Sequence, residues 1–141
     1  MILLDTNVLS ELVRPTPDPT VLGWAAGVPR AGIATTAITE AEMRHGLARL
    51  PPGQRRQALE QAVERLFAEL LAGRVLPFDR AAARHYAGFT TARLAQGRPV
   101  AMADAMIVAT ALAHGAAAIA KRNTADFEGC GLPRINPWTG A

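Results

Sequence analysis

ADAMIVATALAHGAAAIA, residues 103–120, is the stretch whose reading decides the fold. From Ala105 to Ala120 it is almost wholly apolar, and two architectures compete for such a run: a membrane span, or two buried elements. A span needs roughly 20 apolar residues. This run is shorter and is broken by His114 and Gly115. Glycine readily takes the left-handed backbone that closes helices, so the spacing predicts a helix over 103–114, a stop at Gly115 and a strand over 116–120. A strand without polar alternation is buried on both faces, as in a parallel sheet.

The same alternation extends outward in both directions. Ile2-Leu3-Leu4 reads as a short strand ending at Asp5, Gly32 to Thr35 as a second, and Val75 to Phe78 as a third, with Pro77 pointing to a sheet edge. Arg134 to Asn136 is a candidate last strand. Helices are predicted over 7–13, 18–27, 38–50, 54–71 and 79–96. In the fourth of these, Leu59, Val63, Leu66 and Leu70 recur at three- and four-residue steps. Pro51-Pro52-Gly53 separates it from its predecessor. Strands interleaved with helices predict an α/β fold with a mostly parallel sheet covered on both faces. The length of 141 residues, with no internal repeat and no linker, predicts one domain over 1–141.

Composition narrows the function. The formal charge of +3 is compatible with a polyanionic partner, and also with none. The lone Cys130 excludes an intramolecular disulfide and a cysteine metal cluster, and points to a reducing interior. The N-terminus has no basic segment and too short an apolar run for a secretory signal. The expected location is therefore the cytoplasm, with no membrane partner. His45, His85 and His114 are scattered, and Ser10, the only serine, lies in no nucleophile elbow. No glycine-rich phosphate loop is present.

Ligands of open α/β sheets sit beyond the carboxyl ends of the strands, and four groups of polar residues fall there. Asp5 follows the first strand and, with Thr6 and Asn7, also suits a helix cap. Glu42 lies in Thr39-Glu40-Ala41-Glu42, which matches a capping box with Thr39 at the cap. Asp104 heads a helical stripe of Ile107, Val108, Ala111 and Leu112, where a buried carboxylate needs donors or a cation. Asn123 and Asp126 follow the strand at 116–120, and both offer the oxygen that hard cations accept; a simple turn is the alternative. Each group has a structural explanation alone. Together they place four polar groups at one end of one sheet, where clustered carboxylates repel unless a cation is present. An oxygen-only set selects Mg²⁺ or Mn²⁺ over Zn²⁺, and such ions are the usual means of phosphodiester hydrolysis. Arg44, Arg49, Arg55, Arg56, Lys121 and Arg122 are candidates for the surface that receives a polyanion.

In these motifs, and over nearly its whole length, the chain resembles the PIN-domain nucleases, and among them the VapC-type toxins with their FitB-like members. The motifs are residues 1–11, MILLDTNVLSE, residues 37–47, AITEAEMRHGL, residues 103–111, ADAMIVATA, and residues 122–127, RNTADF, followed by Ile135-Asn136-Pro137-Trp138. The resemblance implies a Mg²⁺- or Mn²⁺-dependent endoribonuclease on a three-layer α/β/α sandwich, acting on tRNA or another structured RNA. It implies Asp5, Glu42 and Asp104 as metal-binding acids. Many family members carry Asp where this chain has Asn123, so Asp126 is assigned as the fourth acid and Asn123 as a supporting group, which leaves the metal count at one or two. Thr6, Asn7 and Thr39 are supporting residues; the two threonines would hold the acids or a bound water. Arg44, Lys121 and Arg122 are the expected RNA contacts. A homodimer is also implied, and a cognate VapB-type antitoxin of a type II toxin–antitoxin system, docking an apolar segment near the site. Trp24 is either an exposed anchor for it or a core residue.

Two other readings compete. An aspartate-based phosphatase or phosphotransfer domain would use Asp5 as nucleophile, but Asn7 stands where the common Asp-x-Asp phosphatases have a second carboxylate. A catalytically inert RNA-binding module on the same fold is opposed by the intact acids.

Overall fold

The computed structural model describes residues 1–140. Five strands, β1 (Ile2–Leu4), β2 (Ile33–Thr36), β3 (Val75–Leu76), β4 (Ala118–Ala120) and β5 (Arg134–Ile135), form one sheet in the order β3-β2-β1-β4-β5. Every neighbouring pair is parallel. Six α-helices accompany it: α1 (Thr6–Leu12), α2 (Pro19–Ala26), α3 (Ala37–Ala48), α4 (Gln54–Arg65), α5 (Arg80–Ala95) and α6 (Met102–Ala113). The α/β architecture expected from residues 103–120 is present: α6 ends before Gly115, whose φ of 69° requires a residue tolerant of left-handed backbone. Among the described residues no helix is long and apolar enough to cross a membrane.

The pleat sends successive residues to opposite faces, and this divides the core. Leu3 and Ile119 pack with Phe89, Ile107, Val108 and Phe127 on one face. Leu4 and Ala120 pack with Val8, Leu9, Ile33, Val63 and Phe67 on the other. The result is the three-layer sandwich. Trp24 packs half-buried against the second core, so it is a core residue and not a free anchor.

Several boundaries differ from expectation for local reasons. The helix expected over 54–71 turns into a π-helical stretch at Leu66–Leu70, which keeps Phe67 and Leu71 in the core while the chain turns toward β3. β3 stops at Leu76 because Pro77 has no N–H to give a ladder, and the strand lies at the sheet edge as Pro77 suggested. Helix α3 begins one residue before the expected start. Its cap is Thr36, whose Oγ1 accepts the Thr39 N–H at 3.0 Å, so Thr39 is not the cap and there is no capping box. Thr36→Ala is expected to cost about 1 kcal/mol, the typical worth of such a cap. Chemical denaturation checks this, and a change under about 0.3 kcal/mol would show that the bond contributes little.

Candidate active site

The chain runs from β1 outward to β2 and β3, then returns to place β4 on the other side of β1. The crevice at this reversal is where open parallel sheets bind ligands. Leu4 is in register with Ala120, so the next residues, Asp5 and Lys121, leave the sheet side by side. The Asp5 N–H donates to the Ala120 carbonyl at 3.0 Å. The Lys121 Nζ donates to Asp5 Oδ2 at 2.8 Å, with both side chains buried. Asp5 occupies the cap position of α1, yet its side chain bonds no helix amide. Its second oxygen, Oδ1, is buried without a hydrogen-bond partner, alone in this among the described residues. A buried, unpaired carboxylate oxygen is costly, and a cap would not leave one.

Asp104, in the first turn of α6, places Oδ1 3.8 Å from the Lys121 Nζ, and Asp126 places Oδ2 3.9 Å from it. Asp126 reaches this point from a 3₁₀ turn, Thr124–Phe127, that follows β4. Burial pushes the Asp104 carboxyl above its ordinary range; Lys121 pulls it down, while the charges of Asp5, Asp126 and Glu42 push it further up. Burial disfavours the Lys121 ammonium, but Asp5, Asp104 and Asp126 outweigh it and hold the group above the ordinary lysine value, charged. Glu42 projects from the second turn of α3, and its Oε1 accepts the Thr6 hydroxyl at 2.7 Å. With Asp5, Asp104 and Lys121 it lines a hollow of about 520 Å³.

Of the expected site residues, Asp5, Asp104 and Asp126 gather around one ammonium, and Glu42 faces the same hollow. Thr6 holds Glu42 as expected. Asn7 Oδ1 accepts the Arg122 N–H at 3.4 Å and so ties α1 to the segment after β4. Thr39 does not reach the acids: it is buried, and its hydroxyl takes a bond from Thr36 at 3.1 Å. Asn123 is exposed at the start of the 3₁₀ turn, and it is Asp126 that extends toward Lys121. Lys121 is the main correction among the RNA contacts. Pairing of β1 with β4 draws it inward, so it neutralises the acids and is not a surface contact. Arg44 lies away from the hollow, half-exposed and paired with Glu40 and Glu64 at 2.7 Å each. Arg122 does border the hollow, its guanidinium 4.9 Å from the Trp138 ring.

Three residues went unread in the sequence. Arg14 lines the hollow, steadied by the buried Glu11, which also accepts the Asp18 N–H at 3.1 Å. Arg93, buried on α5, donates to the carbonyls of Arg98 at 2.8 Å, Asp126 at 2.9 Å and Glu128 at 3.2 Å. It therefore fixes the backbone that carries Asp126. The available signal was its position on the stripe Ala82, Tyr86, Phe89, Arg93, where an arginine faces the core.

The donor set fits a hard divalent cation in kind. It is made of carboxylate oxygens, and the buried Asp5 Oδ1 has no hydrogen-bond partner. Among the described residues, however, no three acidic, histidine or cysteine side chains are already gathered as a metal-holding group.

The PIN-domain family matches residues 2–128. The VapC ribonuclease Y4jK of Sinorhizobium fredii is 46% identical over 98% of each chain. The toxin FitB of Neisseria gonorrhoeae is 39% identical over 98% of this chain and 99% of its own. The crystal structure of FitAcB from N. gonorrhoeae superposes with a TM-score of 0.89 at 39% identity, covering 98% of this chain and 99% of that one.

Proposed function

Because the chain belongs to the PIN-domain family, in the branch of the VapC ribonuclease and the toxin FitB, we propose that it is the toxin of a toxin–antitoxin pair and hydrolyses RNA phosphodiester bonds with Mg²⁺ or Mn²⁺. The observation that carries this reading is the acid cluster at the β1/β4 crevice, with one buried carboxylate oxygen left unpaired. Asp5, Glu42, Asp104 and Asp126 would hold the ion. When bound, it supplies the positive charge that activates water and stabilises the attacking and leaving oxygens. The protein's own groups prepare the site. Thr6 orients Glu42, Arg93 fixes the Asp126 segment, and Arg14 and Arg122 at the rim receive the phosphate backbone. Asp104, in the first turn of α6 and lining the hollow, is placed to accept a proton from the attacking water. Asn7, where the common Asp-x-Asp phosphatases carry a second carboxylate, disfavours the phosphatase reading: its side chain instead accepts the Arg122 N–H.

A larger groove of about 1200 Å³ adjoins the hollow and shares Thr6, Ser10, Arg14 and Glu42 with it. Leu12, Leu47, Leu59, Leu66 and Leu70, all half-buried, line it. An apolar segment of the antitoxin fits this groove, and by lying there it would reach the edge of the acid cluster.

The direct test is incubation of the purified chain with a mixed pool of tRNA and other structured RNA, with Mg²⁺, with Mn²⁺ and with chelator. Discrete fragments that appear only with a divalent ion are expected. Equal cleavage in chelator, or none by folded protein under any condition, would contradict the assignment.

A further inference from the structure

We propose that the Lys121 ammonium is a resident cation of the acid cluster, standing where a second divalent ion would otherwise bind, so that the site takes up one Mg²⁺ or Mn²⁺ ion. The inference rests on the metal-dependent nuclease reading above and concerns how many ions that reading requires.

Position is the first argument. The Nζ lies 2.8 Å from Asp5 and within 4 Å of Asp104 and Asp126, so it occupies the point on which these three acids converge. It is not a surface side chain that happens to bend inward. The Lys121 backbone is the continuation of β4, with its N–H bonded to the Ile135 carbonyl at 2.8 Å, and the ammonium lies 4.5 Å from the centre of the Phe127 ring. The cation is thus held from behind by an aromatic face, which favours it there.

Charge is the second argument. The four carboxylates carry four negative charges, and the ammonium leaves the cluster at a net of three. One divalent ion reduces that to a net of one. A second ion would lie against a buried like charge, whose repulsion is strong at these distances. To admit that ion the ammonium would have to leave Asp5, stranding a buried charge without its partner.

The unsatisfied atom is the third. Of the two Asp5 oxygens, Oδ2 is occupied by Lys121 and Oδ1 by nothing. One oxygen of this acid is already paired and the other has no partner, which leaves one oxygen of Asp5 for a single ion; Glu42 and Asp104 line the same hollow as Asp5. That division also accounts for the lack of a preformed three-acid group: the acids are spaced around an ammonium.

The test is a count of bound Mn²⁺ on chelator-stripped full-length protein, read from the spin-resonance signal of free Mn²⁺ during titration. Wild type is expected to bind one equivalent. Lys121→Met, close in shape but neutral, is expected to bind a second equivalent and to hold the first about tenfold or more tightly. Lys121→Arg, which keeps the charge, is expected to stay at one. Two equivalents on wild type overturn the inference, and so does a folded Lys121→Met protein that matches wild type in number and affinity. Should that variant fail to fold, the wild-type count still decides. Wild type that cleaves RNA yet binds two ions defeats the inference and leaves the nuclease reading standing, whereas a chain that binds no Mn²⁺ defeats both.

Discussion

Asp104→Asn is expected to lower RNA cleavage by about 10²- to 10³-fold, the scale on which loss of one preorganised electrostatic contact slows an enzyme. The fold should be retained, with a metal-free Tm equal to or above that of wild type. The two halves of this prediction have one cause. Asp104 is half-buried at the head of α6, and its carboxyl is pushed above its ordinary range by burial and by the nearby charges of Asp5, Asp126 and Glu42. In the metal-free protein the charged carboxylate is therefore an unfavourable group, only partly relieved by Lys121 at 3.8 Å. Asparagine keeps the shape and removes the repulsion. The cost falls on function, because the neutral amide neither attracts a cation nor accepts a proton. Sites that accumulate like charge for chemistry often gain stability when one charge is removed. A variant that cleaves as fast as wild type would contradict the functional role, and one that unfolds would show that Asp104 is a structural acid.

Arg93→Met should produce the largest loss of stability, about 2–4 kcal/mol, because three backbone carbonyls lose a charged donor at roughly 1 kcal/mol or somewhat more each. For a chain of this size that corresponds to a fall in Tm on the order of 10 °C. The guanidinium serves three backbone carbonyls, those of Arg98, Asp126 and Glu128, and stacks 5.7 Å from the centre of the Phe89 ring. Two of those carbonyls belong to the segment that presents Asp126 to the crevice. Cleavage is accordingly expected to fall in the folded fraction as well, and Arg93→Lys should recover part of the stability because one amine can satisfy fewer of the three. Thermal denaturation of both variants, with cleavage measured well below Tm, checks this. A methionine variant within about 1 kcal/mol of wild type would mean that water replaces the guanidinium at little cost.

The alternation of elements was legible because it is local. The run at 103–120 carries its own stop at Gly115, and Asp18 and Asp79 each bond an amide of the helix they precede. What was hidden depends on pairing between distant segments. Lys121-Arg122-Asn123 reads as a polar exit from a strand, and nothing nearby shows that Leu4 pairs with Ala120. That register turns Lys121 from an exposed basic residue into the buried partner of Asp5. Asp5 itself was ambiguous for the same reason, since a helix cap and a ligand occupy the same place in the sequence. The structure separates them: the side chain bonds no amide of α1. The capping box at Thr39 was misread because Thr36 and Thr39 are both good caps, and β2 continues far enough for Thr36 to take the role. The pairing of Arg44 with Glu64 was likewise hidden, because it depends on the packing of α3 beside α4.

The acids at the β1/β4 crevice are expected to cut RNA only with a divalent ion bound. The most direct test is cleavage of an end-labelled RNA by chelator-stripped protein as Mn²⁺ is returned, with Asp5→Asn treated identically. Wild type should be silent without metal and recover cleavage in step with Mn²⁺ binding, while Asp5→Asn stays silent throughout. Cleavage before any metal is returned, or restored equally in Asp5→Asn, would contradict it.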